Sequence, residues 1–175
     1  AQAREIYDAR RIIEGGIVGS LAGTVSASQL EALAEHERAL QEYNAFKSKA
    51  ALVLPDFFDA ERTIPKLDYE VVPVSYEDAP YGGVAWYQDG NPQTGRKGQF
   101  FLNTYYPYGL QSWNISTLLA HEAAPGHHFQ ITIAQELAAK DPDFPQYVAN
   151  ASYTAYAEGW ALYTEYLADH DMGLY

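Results

Sequence analysis

Three of the five histidines in this chain lie within eight residues, and a glutamate directly follows the first of them. The histidines are His121, His127 and His128, and the glutamate is Glu122. A hydrolytic zinc site needs neutral nitrogen ligands and a general base beside the water that the metal activates. We therefore predict that this segment supplies two zinc ligands and that Glu122 is the base.

The spacing of these histidines departs from the common His-Glu-x-x-His helix motif. In a regular helix, His127 lies about 240° from His121 around the axis, and His128 shares the face of His121 but lies about 10.5 Å along the axis. Pro125 cannot donate a backbone hydrogen bond, and Gly126 lets the backbone adjust. We expect a bulge in one helix at this Pro-Gly pair, with His127 as the second ligand. His128 is the alternative ligand, or it supports the ligands or faces the substrate.

The third ligand must come from another element, and Glu158 is the best candidate. It interrupts a helical pattern of aromatic and small residues. Glu165 shares its predicted face but lies farther along. Two imidazoles and one carboxylate leave a zinc ion with room for a water whose pKa falls towards neutrality. Glu122 would take the proton of that water and pass it to the leaving amine of a peptide or small amide.

An oxyanion that develops during hydrolysis needs a hydrogen-bond donor. Tyr153, Tyr156 and Tyr163 of the last predicted helix are available, and we choose Tyr156 as the catalytic candidate. The strand near residues 101–103 is a candidate for holding an extended peptide by edge pairing.

The elements that must position these residues are mainly helical. A broken helical pattern covers residues 4–21, and a capping-box pattern at Ser28 starts a helix that reaches about residue 50. His36 lies on the charged face of that helix and receives no role. One helix is predicted from residue 112 or 114 to 140 and another from 146 to 169.

Between the helices, the sequence predicts a small β-rich region. One strand is expected at residues 69–72, and two more at 84–88 and 99–103 flank a turn-rich stretch, which indicates an antiparallel hairpin. The predicted fold class is therefore α+β and mainly helical, with a helix pair carrying the metal site and a small antiparallel hairpin; the family resemblance given below implies that this helix pair is zincin-like.

The bulk composition narrows the class of protein. The chain has 175 residues, a formal charge of −12 and no cysteine, so any metal must use nitrogen and oxygen ligands. The negative charge argues against nucleic-acid binding, and no apolar stretch approaches the ~20 residues of a membrane helix. We expect one domain and a fragment of a longer protein of unknown oligomeric state, with a helical segment at 1–60, a β-rich segment at 61–110 and the metal-site helices at 111–175.

The segments 121–130 and 156–168 resemble a bacterial family called domain of unknown function 885, and residues 98–104 are similar to the segment that precedes its histidine helix. The resemblance implies a zinc metallopeptidase-like protein related to the glutamate-zincins, mostly helical and often exported or lipid-anchored. It assigns the site roles to five residues: His121, Glu122, His127, His128 and Glu158. A protein of another class remains the alternative, namely a non-catalytic module with a structural or vestigial histidine cluster.

Overall fold

A computed structural model of the chain describes residues 19–20, 24–75, 77–105, 111–150 and 153–175. The chain divides into two units, Ala1–Glu37 and Arg38–Tyr175. Most of the helical segment predicted at residues 4–21 lies outside the described residues. The three-segment division expected from the sequence stays a prediction.

Helix α1 spans Ala27–Phe57. It is capped by Ser26, whose hydroxyl accepts the backbone N–H of Gln29 at 3.2 Å while the Gln29 side chain accepts the N–H of Ser26 at 2.8 Å. This reciprocal pair is a capping box. It lies two residues before the one predicted at Ser28 and has the same three-residue spacing. The helix also continues past the predicted end at residue 50.

Three short strands form a mixed sheet. They are β1 (Tyr69–Pro73), β2 (Ala85–Gln88) and β3 (Gly98–Leu102), in the spatial order β1-β3-β2. The antiparallel pairing of β2 with β3 confirms the predicted hairpin, while β1 adds a parallel partner on the other side of β3. The expectation of peptide pairing at residues 101–103 is therefore wrong, because β3 is the central strand and both its sides are already paired.

Four helices follow the sheet: α2 (Ser112–Glu122), α3 (His127–Lys140), α4 (Gln146–Asn150) and α5 (Thr154–His170). Each of the two long helices predicted in this region is thus interrupted. The second interruption includes Tyr153, whose extended backbone (φ −90°, ψ 110°) precedes α5.

Helix α2 ends where the bulge was expected. The Ala123 N–H still bonds to the Leu119 carbonyl, but the backbone of Ala123 (φ −110°, ψ −102°) has left the helical region. Pro125 then has no N–H to continue the ladder, and the Gly126 carbonyl accepts the Gln130 N–H as the first bond of α3. Two helices form instead of one bulged helix because the proline and the glycine together end α2.

The core of the second unit lies where α1, the sheet and the paired helices α2 and α5 meet. Its largest fully buried apolar side chains are Tyr43, Phe100, Leu102 and Leu119. Phe100 and Leu102 share one face of β3, as the period-2 alternation requires. The architecture is therefore mainly helical with a small mixed sheet, as the predicted α+β class requires. Within the described residues, we find no helix with the length and apolar character needed to span a bilayer.

Candidate functional site

The break between α2 and α3 brings the backbone of Gly126 against the end of α2. A Cβ atom on Gly126 would lie 1.7 Å from the carbonyl oxygen of His121 and 2.4 Å from that of Ala120. No side chain fits at such distances, so this position requires glycine. The close approach turns the start of α3 back towards the last turn of α2, where His121 lies.

Helix α5 is attached to both sides of this break. The Trp160 indole donates to the carbonyls of Pro125 at 2.9 Å and Gly126 at 3.2 Å, and the Thr164 hydroxyl donates to the Ala120 carbonyl at 2.8 Å. Thr164 and Ala161 are fully buried, which lets α5 lie close to α2. These contacts fix the helix that carries Glu158 relative to both histidines.

The structure brings together His121, His127 and Glu158. One ligand atom from each of the three side chains lies within 4.8 Å of the others. The Nε2 atom of His121 lies 3.2 Å from Oε2 of Glu158, and Nε2 of His127 lies 3.6 Å from Oε1 of the same carboxylate. The two imidazole rings are perpendicular, with centroids 5.0 Å apart.

The residue types of this group, two imidazoles and one carboxylate, are those that zinc sites in proteins use. Ligands at about 2.0–2.2 Å from a tetrahedral ion lie about 3.4 Å from one another, close to the two His–Glu distances. Nδ1 of His121 lies at hydrogen-bond distance, 2.6 Å, from Oε1 of Glu165. In the tautomer that donates from Nδ1 to Glu165, the Nε2 atom carries the lone pair that a cation can share with Glu158. The residues present therefore fit a zinc ion.

Glu165 supports His121 in the way that carboxylates support metal-binding histidines. A hydrogen bond to the second ring nitrogen fixes the tautomer and the ring orientation. The sequence placed Glu165 on the face of Glu158 but gave it no role. The signal was its seven-residue separation from Glu158, which returns to the same face two turns later.

Glu122 lies beside this group with its carboxylate held by the sheet. Its Oε2 accepts the backbone N–H of Tyr87 in β2 at 3.0 Å. Burial raises the pKa of Glu122 above its usual value, while His121 and the Tyr87 N–H oppose that rise. A carboxyl whose pKa is raised towards neutrality is better suited to exchange protons with water.

The surroundings of His127 favour the neutral form of its imidazole. Burial lowers its pKa, and the neighbouring His121 lowers it further, whereas Glu158 raises it. A neutral imidazole is the form that binds a metal ion.

His128 faces away from this group, although it directly follows His127. Its side chain is 3% exposed, and its Nδ1 lies 2.8 Å from the Tyr87 hydroxyl and 3.2 Å from that of Thr132. Burial lowers its pKa to about 4, so the ring is neutral. The sequence left His128 open as an alternative ligand. The structure does not place it in the group formed by His121, His127 and Glu158.

The tyrosines considered as oxyanion donors all lie at the surface of the described chain. Tyr156 is 62% exposed, and Tyr153 and Tyr163 are also exposed. Tyr156 lines an apolar cavity of about 320 Å³ together with Phe129 and Trp160. The assignment of Tyr156 to the oxyanion stays a prediction.

Sequence reasoning missed three residues that bond to the site segment from other elements of the fold. Tyr87, Trp160 and Thr164 act over separations of 35 to 44 residues along the chain. Nothing in the local pattern reports such contacts. Only the small residues of the last helix, of which Ala161 proves to be fully buried, indicated a close approach of helices.

Comparison with known proteins agrees with this architecture. A solved structure described as "the putative lipoprotein from Colwellia psychrerythraea" is similar over 78% of this chain, with 28% sequence identity and a TM-score of 0.70. The matched region is 22% of that protein, so this chain spans under a quarter of its length. No protein with a curated function matches.

The family comparison covers almost the whole chain. Residues 10–175 match the family model described as "Bacterial protein of unknown function (DUF885)", including the break, both histidine-bearing helices and α5. The match confirms the family that the motifs at 121–130 and 156–168 indicated. The chain belongs to the DUF885 family of bacterial proteins.

Proposed function

We propose that this chain carries the zinc site of a zincin-like metallohydrolase that cleaves peptide or related amide bonds. The observation that carries the proposal is the convergence of His121, His127 and Glu158 beside the half-buried carboxylate of Glu122. Two imidazoles, one metal-binding carboxylate and a separate base are the parts that such hydrolysis requires.

Each of these residues has a distinct task in the proposal. His121, His127 and Glu158 would hold zinc, which supplies Lewis acidity to a water molecule and to the substrate carbonyl. Glu122 keeps Oε2 on the Tyr87 N–H, so Oε1 takes the proton from the attacking water and returns it to the leaving amine. Glu165 keeps the His121 ring oriented throughout.

The outer edge of β2 is the proposed support for an extended substrate. Val84 accepts the Asn103 N–H on the β3 side, so the alternation of an antiparallel pair turns the main-chain groups of Ala85 and Tyr87 to the opposite side. Glu122 already lies at that edge through its bond to Tyr87. A peptide paired there would pass close to the base.

An extracytoplasmic location accompanies this proposal. The similar protein from Colwellia psychrerythraea is described as a "putative lipoprotein", a description that supports a periplasmic or lipid-anchored setting. A peptidase in that setting would meet peptides outside the cytoplasm.

Hydrolysis of a mixed peptide pool by zinc-loaded protein tests the proposal. Glu122→Gln should lower kcat/KM by roughly 10²–10⁴-fold, because the amide cannot accept the proton. Glu61→Gln, which alters an exposed glutamate paired with Lys66, is the matched control and should keep wild-type turnover. Equal turnover by the wild type and Glu122→Gln would end the assignment.

A non-catalytic module is the second candidate, and one observation favours it. His121 lies between the carboxylates of Glu158 and Glu165, an arrangement that a protonated imidazole satisfies without any metal. In that case, a chelator leaves the thermal stability unchanged, and purified protein carries no stoichiometric zinc. Elemental analysis separates the two candidates before any substrate is known.

A further inference from the structure

We propose that Tyr87 is a positioning residue for Glu122 and that His128 is the buried anchor that holds Tyr87 in place. The inference rests on the proposed function, in which Glu122 is the base. It gives the third histidine of the motif a role outside the metal site.

The first step is the contact between β2 and the base. The Tyr87 N–H donates to Oε2 of Glu122 at 3.0 Å, across 35 residues of sequence. Glu122 is the last residue of α2, where the backbone leaves the helix. The bond from the strand therefore holds Oε2 of the Glu122 carboxylate against β2.

The second step is the anchoring of the Tyr87 side chain. Its hydroxyl lies 2.8 Å from Nδ1 of His128, and the two rings meet edge to face at 5.5 Å. A Cβ atom on Gly98 would lie 2.1 Å from the Tyr87 hydroxyl oxygen, so the adjacent strand needs glycine to accommodate this tyrosine. The position of residue 87 in β2 is thus fixed from both its main chain and its side chain.

The third step concerns the ring of His128, which is held from several sides. It is hydrogen-bonded to the Leu67 backbone, and its Nδ1 lies at hydrogen-bond distance from the Tyr87 hydroxyl. The Tyr69 ring packs against it with centroids 4.9 Å apart. An imidazole held in this way cannot ligate zinc without breaking these contacts, but it provides a rigid acceptor for the Tyr87 hydroxyl.

Thr132 makes this anchor testable. Its hydroxyl lies 3.2 Å from Nδ1 of His128, close enough to satisfy the ring when the tyrosine hydroxyl is removed. Tyr87→Phe therefore frees the strand from its anchor without leaving a buried nitrogen unpaired. Tyr43→Phe is the matched control, because Tyr43 is fully buried but packs against Phe100 in the core.

Hydrogen exchange of the amide at position 87 tests the clamp without any substrate. In the zinc-free protein, Tyr87→Phe should accelerate exchange of that amide at least 10-fold, as should Glu122→Gln, which weakens the acceptor. Tyr43→Phe should leave the rate within 2-fold. An unchanged rate in Tyr87→Phe overturns the proposal, whether or not the protein hydrolyses peptides.

Kinetics test the consequence once a substrate is in hand. Tyr87→Phe should lower kcat about 10-fold, while KM and the zinc dissociation constant stay within 2-fold. At the anchor, His128→Asn keeps an acceptor near the Nδ1 position and should retain several-fold more kcat than the isosteric His128→Leu. Equal kcat for the Asn and Leu variants, or a fall in zinc affinity parallel to kcat, would show that these residues act only on the fold or the metal.

Discussion

His127 and His128 are consecutive residues at the start of α3, yet they lie in opposite surroundings. The His127 side chain, 13% exposed, faces His121 and the carboxylate of Glu158. His128 is buried against the sheet, where hydroxyl groups and a backbone carbonyl surround its ring. The side of His127 is acidic and partly open, whereas the side of His128 is closed to solvent.

The comparison shows how the break assigns the roles. Consecutive side chains on a helix diverge by about 100°, so only one of two adjacent histidines can face α5. The residue at which α3 begins decides which one it is. We expect chemistry on the side where the imidazoles face the carboxylate of Glu158, and support on the side where hydroxyl groups hold a buried ring.

Gly126→Ala should have the largest effect, because it removes the break that separates the two sides. The new Cβ atom would lie 1.7 Å from a backbone carbonyl, so α3 must shift. We expect a loss of about 3 kcal/mol in the free energy of unfolding, measured by denaturant titration, and loss of zinc binding.

Gly159→Ala is the control for this substitution. Gly159 lies inside α5, and no atom within 4 Å would meet its new Cβ. Alanine there should stabilise the protein by up to about 1 kcal/mol. If Gly126→Ala also failed to lower the free energy of unfolding, the close approach at the break would not exist.

Separate substitution of each of the two adjacent histidines tests the comparison directly. His127→Ala should weaken zinc binding by more than about 100-fold, because it removes a ligand and not only a supporting contact. His128→Asn should leave the zinc dissociation constant within about 3-fold. Competition with a chromogenic chelator measures both. If His128→Asn weakened zinc binding more than His127→Ala, the metal would lie on the buried side.

Glu165→Gln should have a smaller effect on the same side. An amide at this position holds the His121 ring less firmly, so zinc affinity should fall about 10–100-fold. Asp169→Asn, one turn later and beside His170, should leave affinity unchanged. An equal fall in both variants would indicate a general effect of charge and no specific support of His121.

Trp160→Phe should have the smallest effect of the series. It removes the indole N–H that bonds to the Pro125 and Gly126 carbonyls, which should cost about 1 kcal/mol of stability. Trp113→Phe, at a side chain that is 61% exposed, should change stability by less than about 0.5 kcal/mol. Thermal unfolding followed by circular dichroism compares the two variants.

Much of the fold followed from local pattern. The strands at residues 69–72, 84–88 and 99–103 and the hairpin between the last two were predicted from alternation and turn residues, and each was confirmed within a residue or two. The parallel pairing of β1 with β3 was not, because register between distant segments depends on tertiary packing. Pro125 indicated an irregularity in the predicted helix. The sequence did not show that the helix ends there, or that α5 contacts the break.

The sequence predicted part of the candidate site, as it predicted part of the fold. His121, His127 and Glu158 were proposed as ligands from residue type and spacing, and the structure brings these three together. The position of His128 depends on where α3 begins, which the sequence left open. The bond from Tyr87 to Glu122 joins a strand to a helix end, and no periodicity within either element reports it.

Zinc stoichiometry is the most direct test of the central claim, that His121, His127 and Glu158 bind one metal ion. Purified protein, dialysed against trace zinc, should contain one zinc per chain by elemental analysis, and His127→Ala should contain almost none under the same conditions. A wild-type protein without zinc, or zinc retained in full by His127→Ala, would contradict the account.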